Sequence, residues 1–135
     1  MEKAIVIPRQ DLWPSILWYW GPVVAYALLI FYLSSQSRPE EQLPSLVQHV
    51  SDKVLHMIEY GVLSVLCYRA FRWAAGPLAA RRALTFAIVA ASVYGMTDEV
   101  HQLSVPLREA SVWDWLADAA GATISSFSWK YFTTR

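Results

Sequence analysis

The sequence predicts an all-α membrane protein in which four transmembrane helices form one compact bundle over residues 1–135. Of the 135 residues, 56% are apolar and only 16% are charged, whereas a soluble domain carries about a quarter of its residues as charged side chains. Apolar runs close to the 20 or so residues that a helix needs to cross a bilayer occur four times. The mean hydropathy of +0.30 is nevertheless low for helices that contact only lipid. Polar side chains are therefore expected inside the apolar stretches.

The first span is predicted over residues 16–35, because no charged residue lies between Asp11 and Arg38. Its apolar part is longer than that of a secretory signal peptide, and no A-x-A cleavage pattern follows it, so we expect a retained membrane anchor. It begins in an aromatic cluster typical of a membrane interface, made of Trp13, Trp18, Tyr19 and Trp20.

Three further spans follow, separated by turn-forming residues. Pro39 and Pro44 mark residues 37–51 as a loop or a short helix in the interface. Gly76 and Pro77 end the second span, and Pro106 follows the third. The predicted spans are residues 53–72, 83–103 and 112–132.

Basic residues are distributed unevenly between the two predicted ends of the bundle. By the positive-inside rule, the richer end is cytoplasmic, which places both termini and the 72–82 connection inside and the loops 37–51 and 104–111 outside. The chain is accordingly expected to cross its membrane several times with both ends on the cytoplasmic side. The inner end holds Lys3, Arg9, Arg69, Arg72, Arg81, Arg82, Lys130 and Arg135, and the outer end holds Arg38, Lys53 and Arg108.

Small residues recur at every fourth position on the third and fourth spans. Such ladders allow close helix approach in lipid, so these two helices are expected to pack on each other. The ladders are Ala87, Ala91 and Gly95 on the third span, and Ala117, Gly121 and Ser125 on the fourth.

Composition also excludes several functional classes. The net charge is zero and no basic run exceeds Arg81–Arg82, so a nucleic-acid partner is not expected. The single cysteine, Cys67, can form neither an internal disulfide nor a cysteine-based zinc site. We find no phosphate-binding glycine loop, G-x-S-x-G or H-E-x-x-H pattern.

The strongest functional signal is the convergence of polar side chains at the outer end of three spans. Helical spacing places Asp52, His56 and Glu59 on one stripe, with Tyr60 at its edge. Tyr94, Asp98 and Gln102 form a column on the third span, with Glu99 and His101 to either side. The candidate ligand-binding residues are Lys53, His56, Glu59, Tyr60, Asp98, Glu99, Gln102, Arg108, Asp114 and Asp118.

Helix capping competes with function as the explanation for two of these acids. Asp52 and Asp114 stand at predicted helix N-termini, where the helix dipole favours a carboxylate, and residues 111–114 form a capping-box pattern. Both explanations stay open for these two residues.

Capping does not explain the other acids. Asp98 and Glu99 are adjacent at a helix C-terminus, which repels anions. Glu59 and Asp118 lie a turn or more inside the membrane edge, and an ionisable group costs about 2.5–3.5 kcal/mol at full membrane depth. These positions therefore favour a functional site.

Several ligand chemistries fit this cluster. Buried acids must be protonated, paired or bound to a cation, and Arg108 is a natural bidentate partner for Asp98 or Glu99. Alternatively, Lys53 and Arg108 beside two helix N-termini could hold a phosphate. No cofactor is firmly expected; for a divalent metal the candidate ligands are His56, Glu99 and Asp114, and for catalysis the candidates are Glu99, Asp98 and His56.

Three ordered motifs resemble those of the VanZ-like family of small bacterial membrane proteins. They are D-K-x-x-H-x-x-x-Y from Asp52, D-E-x-x-Q from Asp98 with the following P-x-R, and S-x-x-D-x-x-x-D-x-x-G from Ser111. The resemblance covers residues 31–121 and implies an integral membrane protein related to a teicoplanin-resistance accessory protein. The chain departs from the family pattern at Leu107, where glycine is usual, at Ser104, where an aromatic residue is usual, and at Asp118, where asparagine is common.

The leading hypothesis is an envelope protein, linked to glycopeptide (teicoplanin) resistance or to envelope maintenance, whose outward-facing polar pocket binds a lipid-linked envelope precursor or a glycopeptide. One alternative is an intramembrane hydrolase or transferase on a lipid-linked phosphate, with Glu99 or Asp98 as base and with Lys53 and Arg108 holding the phosphate. Another is a small proton-linked transporter that uses His56 and Glu59. No clear nucleophile and base pair supports the enzyme, and no inverted repeat supports the transporter.

Overall fold

The described residues of the computed structural model, 12–37 and 51–134, form five α-helices and no strand. Four of them are 20 to 23 residues long, and the fifth is a six-residue helix in a connection. The helices are α1 (Leu12–Ser34), α2 (Asp52–Ala74), α3 (Gly76–Arg81), α4 (Ala83–Gln102) and α5 (Val112–Thr133).

Three helices are long and apolar enough to cross a membrane, over Pro14–Ser34, Asp52–Ala74 and Ala83–Gln102. They correspond to the first three predicted spans. Helix α5 has 22 residues, which is about 33 Å at 1.5 Å per residue, but it does not contain a stretch as apolar as those that qualify the other three helices. That α5 forms the fourth span, and that both termini are cytoplasmic, stay predictions.

The exterior of the bundle is apolar, as expected for a chain in a lipid bilayer. Large hydrophobic side chains face outward on all four long helices, whereas a soluble protein rarely leaves so extended an apolar surface uncovered. Examples at or above 53% exposure are Leu17, Leu28, Ile58, Val89, Val93, Ile124 and Phe127. The chain is therefore a helical protein suited to a multi-pass position in the membrane.

The direction of the helices follows from contacts between them. Tyr94 Oη on α4 donates to the carbonyl oxygen of Ala27 on α1, and Gln102 Nε2 donates to Ser34 Oγ two turns further along both helices. Helices α1 and α4 therefore run in one direction. Helices α2 and α5 run parallel to each other, since contacts join 56 to 118 and 64 to 126. Helix α2 runs opposite to α4, since Tyr60 lies against Gly95 whereas Phe71 contacts Phe86.

The end of the bundle that holds α3 is closed by aromatic rings. Trp20 packs edge-on against Phe71, and Phe71 contacts Phe86, which joins α1, α2 and α4. Arg69 lies over the ring of Tyr19, with its guanidinium carbon 5.7 Å from the ring centroid. Arginine and aromatic rings together are typical of a membrane interface.

Helices α2 and α5 approach so closely that their backbones touch. A Cβ on Gly121 would overlap the main chain of Met57, and one on Gly61 would overlap Ser125 Oγ. Deeper in the pair, the buried hydroxyls of Ser64 and Ser126 are 2.6 Å apart and form a hydrogen bond. Small residues thus permit backbone approach in this pair.

Helices α4 and α5 pack against each other as predicted, but the small residues of α5 face α2. Gly121 lies against the main chain of Met57, and Ser125 lies against Gly61, so both residues face α2. Helix α4 does pack against α5, but its Gly95 faces the side chain of Asp118. Sequence spacing identifies a small-residue face without specifying which neighbour covers it.

Some predictions fall outside the described residues. They are the loop or interfacial helix over most of residues 37–51, the solvated position of His49, and the basic residues Lys3, Arg9, Arg38 and Arg135.

Candidate functional site

Buried polar side chains gather where α2 and α5 begin and α1 and α4 end. Six ionisable or amide side chains at this end are less than 9% exposed, in a bundle whose other buried side chains are mainly apolar. They are His56, Asp98, Glu99, Gln102, Asp114 and Asp118. We call this set the polar cluster.

The innermost contact of the polar cluster joins α2 to α5. Nδ1 of His56 donates to Oδ1 of Asp118 at 2.8 Å, and Asp118 is completely buried. Its second oxygen, Oδ2, has no hydrogen-bond partner among the described residues. Tyr60, one turn below His56, is also fully buried, and its hydroxyl likewise lacks a partner there.

A second ion pair links the same two helices nearer the surface. Nζ of Lys53 donates to Oδ1 of Asp114 at 2.5 Å, and the lysine side chain is about half exposed. The main-chain N–H of Asp114 donates to Ser111 Oγ at 3.4 Å, so the predicted N-cap of α5 forms.

The reciprocal half of the predicted capping box is made by a different helix. The N–H of Ser111 donates to Oε2 of Glu99 at 2.7 Å, so the carboxylate of α4 caps α5 and Asp114 remains available to Lys53. The end of α4, which repels anions, therefore lies against the start of α5, which attracts them. This explains the position of Glu99 at a helix C-terminus.

Helices α1 and α4 are joined by a polar chain. Nε2 of Gln102 donates to Oδ2 of Asp98 and to Ser34 Oγ, each at 3.2 Å. His101 takes no part in this chain: its Nε2 lies 3.0 Å from Ser35 Oγ and its ring stacks on Phe31. Ser34 was not among the candidate residues predicted from the sequence. The pair Ser34 and Ser35 at the end of an otherwise apolar span could have indicated it.

A small cavity opens between these helices at the same end of the bundle. Its walls come from α1, α2, α4 and the turn that follows α4, and they alternate apolar and polar groups. The apolar lining is Ile30, Leu33 and Leu55, and the polar lining is Ser34, Asp52, His56, Glu59, Asp98, Gln102 and Arg108. Glu59 is half-buried and Asp52 is exposed at the rim.

Arg108 reaches the cavity from the turn between α4 and α5. Among the described residues it makes no ion pair with Asp98 or Glu99, and its buried Nε has no hydrogen-bond partner. The predicted bidentate pair is therefore wrong for this structure. The guanidinium lines the cavity and does not neutralise the neighbouring acids by direct contact.

The turn that carries Arg108 keeps a conformation that favours glycine. Leu107 has a φ of 66°, the one positive value among the described non-glycine residues. A left-handed conformation costs an L-residue about 1–2 kcal/mol, so the position of Arg108 is maintained against local strain.

Among the described residues, potential metal ligands fall into two groups that share His56. One contains Asp52, His56 and Asp114, and the other contains His56, Glu99 and Asp118; in each group the ligand atoms lie within 4.8 Å of one another. The candidate trio from the sequence, with Glu99 and Asp114 together, is divided between these groups. In the group that contains His56 and Glu99, the third ligand is Asp118 and not the predicted Asp114.

Comparison with known proteins identifies the family. No curated protein and no solved structure matches the chain. The model of the VanZ/LLP1 family matches residues 15–133, which includes all five helices apart from the first residues of α1. The match therefore covers nearly the whole chain and every residue of the polar cluster. The chain belongs to the VanZ/LLP1 family.

Proposed function

We propose that this chain is a bacterial envelope protein whose polar cavity faces outward and binds a ligand of the cell envelope, so that it lowers susceptibility to teicoplanin. The observation that carries the proposal is the cavity itself, which a membrane bundle lines with ionisable side chains from two of its helices and the turn after α4. Ionisable groups within a membrane segment are costly and mark functional positions by default.

An unsatisfied polar atom in the cavity wall supports a binding role. Arg108 lines the cavity, and its Nε is buried without a hydrogen-bond partner among the described residues. A buried polar group without a partner costs about 1–3 kcal/mol, which a ligand that completes its hydrogen bonds would recover. Arg108 can donate to a phosphate or carboxylate, and Asp98 and Glu59 can accept from an ammonium or hydroxyl group.

The size and position of the cavity favour a terminal group of a larger molecule. The cavity is small and lies at the end of the helices, where a lipid headgroup or a polar group of a glycopeptide can enter from the interface. Ile30, Leu33 and Leu55 provide an apolar wall beside the polar one. A ligand with a charged group next to an apolar part therefore fits best.

The distribution of basic residues supports an outward direction. At the α3 end, the described residues include Arg69, Arg72, Arg81, Arg82 and Lys130, whereas the cavity end has Lys53 and Arg108. The positive-inside rule places the richer end in the cytoplasm.

The two alternative functions are less well supported by the contacts. Lys53 is engaged by Asp114, so it is not placed with Arg108 around one phosphate position as the hydrolase or transferase requires. At the opposite end, the rings of Trp20, Phe71 and Phe86 pack between α1, α2 and α4, which does not favour a transport path.

The test is teicoplanin susceptibility of a susceptible bacterium that expresses the chain. Wild type is expected to raise the inhibitory concentration, and Arg108→Ala and Gln102→Ala are expected to abolish the increase. Loss of a hydrogen bond to a charged group corresponds to roughly a 10-fold to 100-fold loss of ligand affinity.

Glu109→Ala is the matched control for Arg108→Ala, because Glu109 is the next residue in the same turn and is exposed. It is expected to behave as wild type. All variants are compared at equal membrane abundance, measured with an epitope tag. If Arg108→Ala and Gln102→Ala retain the full increase, the cavity is not the functional site; if wild type gives none, the link to teicoplanin is wrong.

A further inference from the structure

We propose that His56, Glu99 and Asp118 form a binding site for one divalent transition-metal ion, for which Zn²⁺ is the representative probe. The three residues come from α2, α4 and α5 and are all buried. The site would therefore join three helices of the bundle through one ion.

The geometry brings three suitable donor atoms close together. One imidazole nitrogen and one oxygen from each carboxylate lie within 4.8 Å of one another. Ligand atoms around a zinc ion stand about 2.0–2.2 Å from the metal. A bound ion would draw the three atoms closer together than they lie in this structure, and the ring nitrogen of His56 that binds it would carry no proton.

The second observation is that each carboxylate has an oxygen left over. Glu99 uses Oε2 to cap α5, and its buried Oε1 has no hydrogen-bond partner among the described residues. Asp118 uses Oδ1 for His56, and its buried Oδ2 is likewise unpartnered there. Asp118 is completely buried and Glu99 is 7% exposed, so bulk water does not compensate these oxygens.

The local charge also favours a cation. Two buried carboxylates face a single histidine, and no ion pair joins Lys53 or Arg108 to either of them in the described part of the chain. His56 can balance at most one of the two acids, an uncompensated buried charge is strongly unfavourable, and a bound divalent cation compensates the remaining charge.

The other group around His56 is a weaker candidate. Its Asp114 already accepts a hydrogen bond from Lys53, and its Asp52 is exposed to solvent. A lysine ammonium next to the ligand oxygens repels a divalent cation. The metal is therefore assigned to Glu99 and Asp118.

The donor set indicates the class of ion. Imidazole nitrogen favours Zn²⁺ and similar transition metals over Mg²⁺ or Ca²⁺, which prefer oxygen ligands only. Three protein ligands also leave a coordination position open, as in zinc sites that bind a further ligand. Because His56 also lines the cavity, this open position adjoins the proposed ligand site; that last point rests on the proposed function.

The experiment measures metal binding by the purified full chain in detergent. Protein stripped with a chelator is given Zn²⁺ and dialysed, and bound zinc is measured by mass spectrometry; Co²⁺ provides an absorption spectrum that reports the coordination. Wild type is expected to bind one ion per chain. Glu99→Gln and Asp118→Asn are expected to lose at least about 100-fold in affinity, since even loss of an outer-shell partner costs about 10-fold to 100-fold.

Both substitutions preserve the hydrogen bonds that hold the bundle, because an amide oxygen can still accept from Ser111 N–H or from His56. Asp98→Asn is the matched control, as Asp98 is the buried carboxylate next to Glu99 but belongs to neither metal group. It is expected to bind Zn²⁺ as wild type does, and circular dichroism checks that each variant remains helical.

Two results would overturn the assignment. One is wild-type protein that binds no Zn²⁺ or Co²⁺; the other is binding that survives Glu99→Gln and Asp118→Asn but is lost in Asp52→Asn. The measurement uses the purified chain and the metal alone. A failure of the teicoplanin test therefore leaves this result unaffected, and a failure here leaves the cavity proposal standing.

Discussion

Gly121→Ala is expected to destabilise the protein more than any other single methyl addition at its described glycines. The added Cβ would overlap the main chain of Met57, and backbone atoms cannot rotate away as a side chain can. Overpacking typically costs about 1–3 kcal/mol, and we expect the free energy of unfolding to fall by about 3 kcal/mol because α2 and α5 must separate. Reversible unfolding in mixed micelles measures the change.

Two other glycines provide graded controls. Gly61→Ala meets Ser125 Oγ, which can rotate, and the Gly121 carbonyl at 3.2 Å, so we expect a loss of about 1 kcal/mol, at the low end of overpacking. Gly21 lies on the exposed face of α1 with nothing within 4 Å of an added Cβ, and Gly21→Ala is expected to be tolerated. An effect of Gly121→Ala no larger than that of Gly21→Ala would contradict the observed backbone contact.

His56→Ala in metal-free protein is expected to have the second large effect. It removes the partner of Asp118, which is completely buried, and breaking a buried pair from one side costs about 3–5 kcal/mol. We expect the free energy of unfolding to fall by about 3 kcal/mol. The same unfolding measurement in micelles, made in the presence of a chelator, checks it.

A double-mutant cycle separates the pair from its surroundings. His56→Ala combined with Asp118→Ala is expected to cost less than the sum of the two single changes, because the second substitution removes the uncompensated acid. Ser64→Ala, one of a buried hydroxyl pair two turns away on α2, is the matched control and is expected to be additive with Asp118→Ala. Additive costs for His56 and Asp118 would contradict a direct interaction.

The overall helical organisation could be predicted from the sequence because the membrane imposes strong local rules. A bilayer requires about 20 apolar residues per helix, so the boundaries of α2, α4 and α5 lie within two residues of those predicted. The polar residues lie at the start of α2 and α5 and at the end of α4, so they lie at the same depth when α4 runs opposite to the other two helices. The spacing of apolar residues and the thickness of the bilayer were therefore sufficient to predict the helix bounds and the common depth of the polar residues.

The hydrogen bonds and ion pairs between helices could not be predicted, because they depend on how each helix is rotated about its axis and on which faces meet. Sequence spacing suggested that Asp114 would complete the capping box of α5, whereas Glu99 does so from another helix. Arg108 was expected to pair with Asp98 or Glu99, but the turn at Leu107 directs its side chain to the cavity. Interactions between helices at long sequence separation carry no local signature.

The resemblance to the VanZ-like family identified residues of the polar cluster but did not identify the ligand that they bind. Its motifs cover His56, Glu99, Arg108 and Asp118, and the family match over residues 15–133 includes them all. The departure at Asp118 gives the histidine an acidic partner and supplies one of the unpartnered oxygens of the proposed metal site. Asparagine at this position would supply the acceptor without the charge.

Labelling of single cysteines in intact cells shows which side of the membrane the cavity faces. In a Cys67→Ala background, Ser104→Cys lies in the exposed turn beside the cavity, and Ala75→Cys lies in the exposed connection before α3. A membrane-impermeant maleimide is expected to label residue 104 in intact cells and residue 75 only after permeabilisation. Labelling of residue 75 but not residue 104 in intact cells would place the cavity on the cytoplasmic side and contradict the account.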